Sequence, residues 1–320
     1  MRIWTRASGS ADLAPAEAGV ALEALRAGSP RAVAAPPTRP WYLDVWIQMV
    51  RRKPLGLLGG VIVAVMLAAA LLADVLTPYG FAETNLRERF VLSSATHWLG
   101  TDQLGRDMLT RLLYGARISL YVGFGAVALA CVLATALGIV CAYFGGRVDL
   151  LLQRGVDAWM AFPPLLLLMS IMSLLGPSVL NITVVLGVAA GIRESRVIRG
   201  VALSIKEHTY IESTRALGAG HLRVTVAHIL PNVLPTVIVI ATTGLSTVIL
   251  TEASLSFLGL GVPPPYPTWG GMLSLAGLDH MYQAPWLAVW PAVALSLAVF
   301  GFNMLGDALR DLLDPRLKGG

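Results

Sequence analysis

The sequence predicts an all-α polytopic membrane protein with six transmembrane helices. Hydrophobic residues make up 56% of the 320-residue chain and charged residues 13%, and the mean hydropathy is +0.69. Such a composition is too apolar for a water-soluble domain. Several apolar runs also approach the ~20 residues that a helix needs to cross a bilayer. The lipid bilayer is therefore the first expected partner of the chain.

The excess of basic over acidic residues in the chain does not predict nucleic-acid binding. The formal charge is +5 and the isoelectric point is near 9.5, but excess Lys and Arg in a polytopic membrane protein is typical of cytoplasmic loops. Cys131 and Cys141 lie about 15 Å apart along one predicted helix, too far for a disulfide. The five histidines show no metal-site spacing. We expect neither nucleic acid nor a bound metal.

The N-terminal part of the chain leads into the first span. Residues 1–40 are rich in Ala, Pro, Arg and Gly and predict a disordered cytoplasmic tail, with no apolar run suited to a signal peptide. Residues 41–77 predict a short interfacial segment and the first span, Leu55 to Leu76. The basic triplet Arg51 to Lys53 precedes this span and places the N-terminus in the cytoplasm.

Residues 78–117 predict an extracytoplasmic loop, in which acidic and basic side chains nearly cancel. Leu104, Met108 and Leu112 recur at near-helical spacing. We therefore expect an amphipathic helix within His97 to Leu120, lying on the membrane surface.

Residues 118–310 predict a core of five further spans, followed by a cytoplasmic tail over 311–320. Pro163 and Pro164 should bend the third span, and Asp157 is expected to pair with Arg154. Most of the 24 Lys and Arg residues then fall on the cytoplasmic side. The expected spans two to six are about Ser119 to Phe144, Leu151 to Leu175, Val179 to Ala190, Val233 to Phe257 and Trp286 to Leu305.

Two features mark the outer end of the fifth span. Glu252 is an ionisable residue within it, which is expected either to snorkel or cap near the outer face or to act as a gate or pathway residue. The following segment, Gly259 to Pro285, is rich in Pro and Gly. Its Trp269 is typical of an outer loop that lies against lipid headgroups.

A polar segment from Lys206 to Pro235, which we call the elbow, interrupts the apolar second half. Tyr210, Thr214 and Leu217 recur at helical spacing, and the Gly218 to Gly220 run then favours a helix end and a turn. A second short helix is expected from Leu222 to Leu230. At its end Pro231 favours a kink or a new helix start.

The elbow resembles the E-A-A-x-x-x-G-x(9)-I-x-L-P signature of permease subunits from bacterial ABC importers. The sequence departs from it where Ser213 and Thr214 replace the alanines and His228 replaces the isoleucine. In that family this segment is the coupling helix, which docks into a groove on a cytoplasmic ATPase. The matching positions are Glu212, Ser213, Thr214, Gly218, Leu230 and Pro231.

Three other segments resemble the oligopeptide and dipeptide branch of these permeases, in its C-type subunit. They are LGTDQLGRD within His97 to Leu120, the segment Thr251 to Leu273, and GDALRDLLDPRLKGG at the C-terminus. The resemblance covers residues 45–320 and implies a type I importer fold in the bacterial cytoplasmic (inner) membrane. It also implies three kinds of partner: a homologous second permease, two ABC ATPase subunits and an extracytoplasmic peptide-binding protein.

The resemblance assigns roles to individual residues. The coupling helix would lie within 206–220, and its turn and kink would use Gly220, Pro231 and Pro235. Loop residues that would dock the binding protein are Asp102, Arg106, Asp107 and Trp269. Residues that would contact the ATPase are Tyr210, Glu212, Ser213, Thr214, Arg215, Ala216, Leu217 and Gly218.

The chain is not expected to be an enzyme. The phosphate-binding signature G-x-x-x-x-G-K-[ST] is missing, because the three lysines precede Pro54, Glu207 and Gly319. ATP and Mg would be bound by the partner ATPases, and we expect no cofactor in this chain. An importer of nickel or another small solute remains an alternative. An ion-coupled transporter or a membrane enzyme would need buried charges at span centres or a catalytic set, which the sequence does not show.

Overall fold

The computed structural model describes residues 53–274 and 279–313, and these are built from α-helices joined by loops. The expected N-terminal tail, the interfacial segment and most of the C-terminal tail lie outside these residues. Two short turns of other type occur, a 3₁₀ turn at Leu86–Glu88 and a π-helical turn at Val224–Ile229. The helices are α1 Pro54–Leu71, α2 Ala73–Leu76, α3 Met108–Phe144, α4 Gly146–Met160, α5 Pro164–Leu175, α6 Val179–Lys206, α7 Thr209–Ala216, α8 His221–Arg223, α9 Leu230–Phe257, α10 Trp269–Leu273 and α11 Trp286–Leu313.

Four helical segments in the described part of the chain are long and apolar enough to cross a membrane. They are α1, α3, the continuous run from α8 to α9, and α11. The bent pair of α4 and α5 would make a fifth. Helix α6 has an apolar first half, but its second half carries Arg193, Arg196 and Arg199. The predicted count of six spans is therefore not reproduced by length and apolarity alone.

The prediction of an amphipathic surface helix within His97 to Leu120 is wrong. The chain stays irregular up to Asp107, whose carboxylate accepts a hydrogen bond from the Thr110 N–H at 2.8 Å and caps α3. The helix that begins there runs without a break through the predicted second span. Met108 is buried, so its near-helical spacing with Leu112 reflects the first turns of a core helix.

Helices α3 and α6 share the most extensive helix–helix contact in the described part of the chain. A Cβ atom at Gly187 of α6 would lie 2.9 Å from the carbonyl oxygen of Ala126 in α3. Because glycine has no side chain, the two backbones can be in contact at this point. Small residues allow such contact between membrane helices, where packing rather than water exclusion drives association. Around this contact, Val122 and Ile182 are fully buried, as is Ile249 of α9.

The first helix is fixed to α3 by Arg117. Its Nε donates to the Ala70 carbonyl at 2.9 Å, and so it satisfies an unpaired acceptor at the C-terminal end of α1. Its guanidinium also contacts Asp74, at 3.0 Å. The hydrogen bonds from Arg117 and from the Tyr114 hydroxyl hold the pKa of Asp74 below its ordinary value. The two ends of the loop formed by residues 78–107 are joined at this point.

The predicted bend at Pro163 and Pro164 is confirmed, and it is large. Helices α4 and α5 meet at 89°, so the expected third span is two helices rather than one. Asp157 of α4 pairs with Arg154 at 3.5 Å, as expected, and also with Arg196 of α6. The pair with Arg196 fixes α4 to the charged half of α6.

Candidate functional site: the elbow

The elbow begins with helix α7, which is held in place by one buried side chain. Ile211 is fully buried, whereas the neighbouring residues of α7 are exposed or half-buried. It packs in a cluster with Ile205 at the end of α6 and with Val224 and Val233 after the turn. A helix of eight residues is too short to be stable alone. Its position therefore depends on this cluster.

Other residues of α7 and of the turn after it are exposed. Leu217, just after the helix, is 88% exposed and Tyr210 is 44% exposed. Thr214 and Arg215 are half-buried. The other exposed positions among the predicted coupling residues are Glu212, Ser213, Ala216 and Gly218.

The turn after α7 requires glycine at one position. Gly218 has φ +84°, a backbone conformation that side chains disfavour. Its N–H bonds to the Arg215 carbonyl at 2.9 Å, and the Ala219 N–H bonds to the Thr214 carbonyl at 3.2 Å. This pair of bonds is a Schellman motif, which ends a helix and reverses the chain. The predicted turn at Gly218 is confirmed.

The three other predicted turn residues have weaker roles. Gly220 has φ −67° and precedes α8, so any residue could adopt its backbone conformation. Pro231 lies in the first turn of α9, and the π-helical turn comes directly before it. There the Leu230 N–H bonds to the Thr225 carbonyl, five residues back, which accommodates the proline ring and its missing donor. Pro235 lies within α9. The predicted second helix therefore continues into the fifth span.

Sequence reasoning missed the residues that anchor the elbow to the end of α3. Lys206 donates to the carbonyl oxygens of Ala142 at 3.0 Å and Tyr143 at 2.8 Å. The Tyr143 hydroxyl lies 2.7 Å from Nδ1 of His221. The Arg215 guanidinium carbon lies 4.8 Å from the centre of the Tyr143 ring, a cation–π contact. Tyr143 thus contacts both halves of the elbow.

Glu252 does not snorkel to the outer surface, as one of its two expected roles required. It lies on α9 and is fully buried against α3. The Ser256 hydroxyl donates to its carboxylate at 2.6 Å, and the Ser119 hydroxyl donates at 3.3 Å. A membrane-embedded carboxyl that faces the protein interior with hydroxyl partners is typical of buried ionisable residues in such proteins. The gate or pathway role of Glu252 stays a prediction.

The four loop residues predicted to dock the binding protein are not on the surface. Their exposed fractions are 3% for Asp102, 9% for Arg106, 6% for Asp107 and 2% for Trp269. Trp269 was expected to face lipid headgroups, but its Nε1 donates to the Leu112 carbonyl at 3.1 Å. The headgroup expectation for Trp269 is wrong, because its side chain is buried against α3. The docking role of the four residues stays a prediction.

No cluster of metal-ligating side chains occurs within 53–274 and 279–313. Several charged side chains in this part of the chain form ion pairs between helices. Arg199 of α6, for example, bonds to both carboxylate oxygens of Asp149 in α4, at 2.6 and 2.5 Å.

Comparison with known proteins places the chain among transport proteins. Residues 134–319 match the family described as the binding-protein-dependent transport system inner membrane component. Residues 40–93 match the N-terminal transmembrane domain of oligopeptide transport permease C.

Individual relatives agree with this match. The dipeptide transport system permease protein DppC of Alkalihalophilus pseudofirmus is 40% identical, over 89% of this chain and 95% of the relative. The glutathione transport system permease protein GsiD of Pectobacterium atrosepticum is 38% identical, over 87% and 92%.

The fold is also that of a solved importer. The methionine ABC transporter MetNI, in inward-facing conformations, contains a chain similar to this one, with a TM-score of 0.53 and 19% identity over 65% of this chain and 98% of that chain. An inner membrane component of this kind crosses the membrane several times, and its ATPase and its binding protein are separate subunits. The chain belongs to the family of inner membrane components of binding-protein-dependent transport systems, as the permease subunit of an ABC importer.

Proposed function

We propose that this permease forms half of the translocation pathway for di- and oligopeptides, and that the elbow transmits force from the ATPases. A homologous second permease would form the other half, with two ATPase subunits and an extracytoplasmic peptide-binding protein completing the importer. The names of the relatives, which are permeases for dipeptides and glutathione, support a peptide substrate.

The observation that carries the coupling proposal is the two-sided character of α7. Buried Ile211 fixes the helix, whereas Tyr210 and, just after the helix, Leu217 are exposed. A short rigid helix that is anchored to three long helices can pass a displacement on to them. ATPases that close against α7 would therefore move α3, α6 and α9 together.

The elbow would lie on the cytoplasmic side, with both termini. Arg193, Arg196, Arg199 and Lys206 lie on the half of α6 that leads to the elbow, and the positive-inside rule places such a segment in the cytoplasm. ATP and Mg would be bound by the ATPase subunits, because this chain has no phosphate-binding signature.

The test is to change the charge or the polarity of exposed residues at α7 in the complete importer. Glu212→Lys and Leu217→Glu should each lower peptide uptake into proteoliposomes severalfold while the purified permease keeps its melting temperature. The ATP hydrolysis that peptide and binding protein stimulate should either fall in parallel with uptake or continue while uptake is lost.

Leu86→Glu supplies the matched control, because Leu86 is 64% exposed in the outer loop, far from the elbow in sequence. It should leave uptake unchanged. Normal uptake in both elbow variants would refute the coupling role. Failure of the wild-type importer to take up any peptide would refute the proposal that its substrate is a peptide.

A further inference from the structure

A cavity of about 300 Å³ lies where the outer loop meets the ends of the long helices. It lies between the segment before α3, the proline-rich loop after α9 and Pro177 ahead of α6. Its apolar wall includes Met272 and Leu287, and its polar wall consists of Asp102, Gln103, Arg106 and Arg111, with Ser256 and Thr268. The volume is at the lower end of the range for small-molecule sites.

The polar wall holds more positive than negative charge. Arg106 Nε lies 2.6 Å from Asp102 Oδ2, and Arg111 Nε lies 3.5 Å from the same oxygen. The other carboxylate oxygen of Asp102 accepts the N–H groups of Leu104 and Arg106. Two buried arginines, Arg106 at 9% exposed and Arg111 at 8%, therefore share one carboxylate.

The next carboxylate does not supply the missing negative charge. Asp107 accepts from the N–H and the hydroxyl of Thr110 with one oxygen and contacts Nδ1 of His97 with the other. A buried charge without a partner is costly. The cavity therefore favours an anionic ligand.

The chemistry of the free donors defines that ligand. The hydrogen bonds found in the described part of the chain use Nε of Arg106 but neither of its Nη atoms. A planar guanidinium binds a carboxylate through two parallel hydrogen bonds. The apolar wall beside it suits the side chain that a peptide carries next to its terminal carboxylate.

We propose that this cavity binds the C-terminal carboxylate of an incoming peptide, with Arg106 as the main contact. This inference rests on the proposed function, because it assumes a peptide substrate and the orientation that puts the cavity on the outer face. The small volume favours the end of a peptide over a segment of a folded partner. The role is to hold the substrate, and no bond is made or broken.

The experiment measures binding to the importer complex in lipid nanodiscs without its binding protein. The probes are dialanine, dialanine amide and inorganic phosphate, measured by titration calorimetry. Dialanine should bind at least about tenfold more tightly than its amide, since a hydrogen bond between charged groups is lost. Arg106→Gln should reduce dialanine affinity to the level of the amide.

A second variant separates binding from folding, because Arg106 also supports the loop through Asp102. Gln103→Glu adds a negative charge to the cavity wall without removing any bond of Asp102, so it should weaken dialanine about tenfold and leave the amide unchanged. Arg87→Gln is the control, since Arg87 is exposed in the same loop, and it should bind both peptides as the wild type does.

Three results would overturn the inference. The first is equal affinity for dialanine and dialanine amide, and the second is an unchanged preference of Gln103→Glu for dialanine over its amide. The third is phosphate binding as tight as that of dialanine, which would mean a general anion site. If uptake of peptides by the complete importer persists in such a case, the proposed function stands and only this site is wrong. A complete importer that transports no peptide would refute the proposed function itself.

Discussion

The ammonium group of Lys206 lies 2.8 Å from the main-chain carbonyl oxygen of Tyr143. This contact joins the last residue of α6 to the last turn of α3. The final carbonyls of a helix have no partner within it and carry partial negative charge, so a lysine is a favourable cap. The entry to the elbow is thereby fixed to the C-terminal end of α3.

We expect Lys206→Met to loosen this joint. The loss of a charged hydrogen bond at a half-buried site should cost about 1–3 kcal/mol of stability, and peptide uptake per ATP hydrolysed should fall. Thermal melting and coupled transport assays check both. Arg223→Met is the matched control, because Arg223 is exposed on the same elbow. Equal effects of the two changes would contradict the anchoring role.

Replacement of Gly218 by Ala should destabilise the turn after α7. The φ of +84° costs a residue with a Cβ atom about 1–2 kcal/mol. Gly220→Ala should be nearly neutral, because Gly220 has φ −67° and no atom lies within 4 Å of an added Cβ. Melting curves of the two variants provide the comparison. A loss as large at residue 220 as at residue 218 would count against the conformational explanation.

The two faces of α7 should respond differently to truncation. Ile211→Ala leaves a cavity in the buried cluster and should cost roughly 2–5 kcal/mol. Leu217→Ala removes an exposed side chain, so its effect on stability should stay within about 0.5 kcal/mol. Binding of the ATPase subunits, measured by pull-down or light scattering, should nevertheless weaken. The prediction fails if Leu217→Ala binds the ATPases normally.

A methyl group between α3 and α6 should not be tolerated. Gly187→Ala places a Cβ atom 2.9 Å from the backbone oxygen of Ala126, and overpacking of this kind costs about 1–3 kcal/mol. Gly200→Ala, on the same helix with open space around it, should be neutral or slightly stabilising. The melting temperatures of the two variants in detergent test this, and similar values would rule out the close packing described for Gly187.

Much of the fold could be predicted from the sequence because the governing signals are local. Apolar runs marked α1, α3, α9 and α11, since the cost of placing polar groups in lipid depends mainly on composition. The bend at Pro163 and the helix end at Gly218 were predicted for a similar reason. A proline lacks an N–H, and a glycine tolerates positive φ, whatever surrounds them.

The expectations that were wrong concern burial. Trp269 was expected against lipid headgroups, and one of the two roles expected for Glu252 was to snorkel or cap near the outer face. Each finds a partner from α3, Ser119 for the carboxylate and the Leu112 carbonyl for the indole. These partners lie 133 and 157 residues away in sequence, and periodicity within one helix carries no information about them.

The sequence by itself determined the class of protein, the position of the elbow and its glycine turn, because hydropathy and backbone preference belong to single residues and short runs. Only the tertiary structure decided which side of α7 is anchored, through Ile211, Lys206 and Tyr143, and which charges meet around the outer cavity. Those features depend on distances between helices, and such distances exist only after the chain has packed.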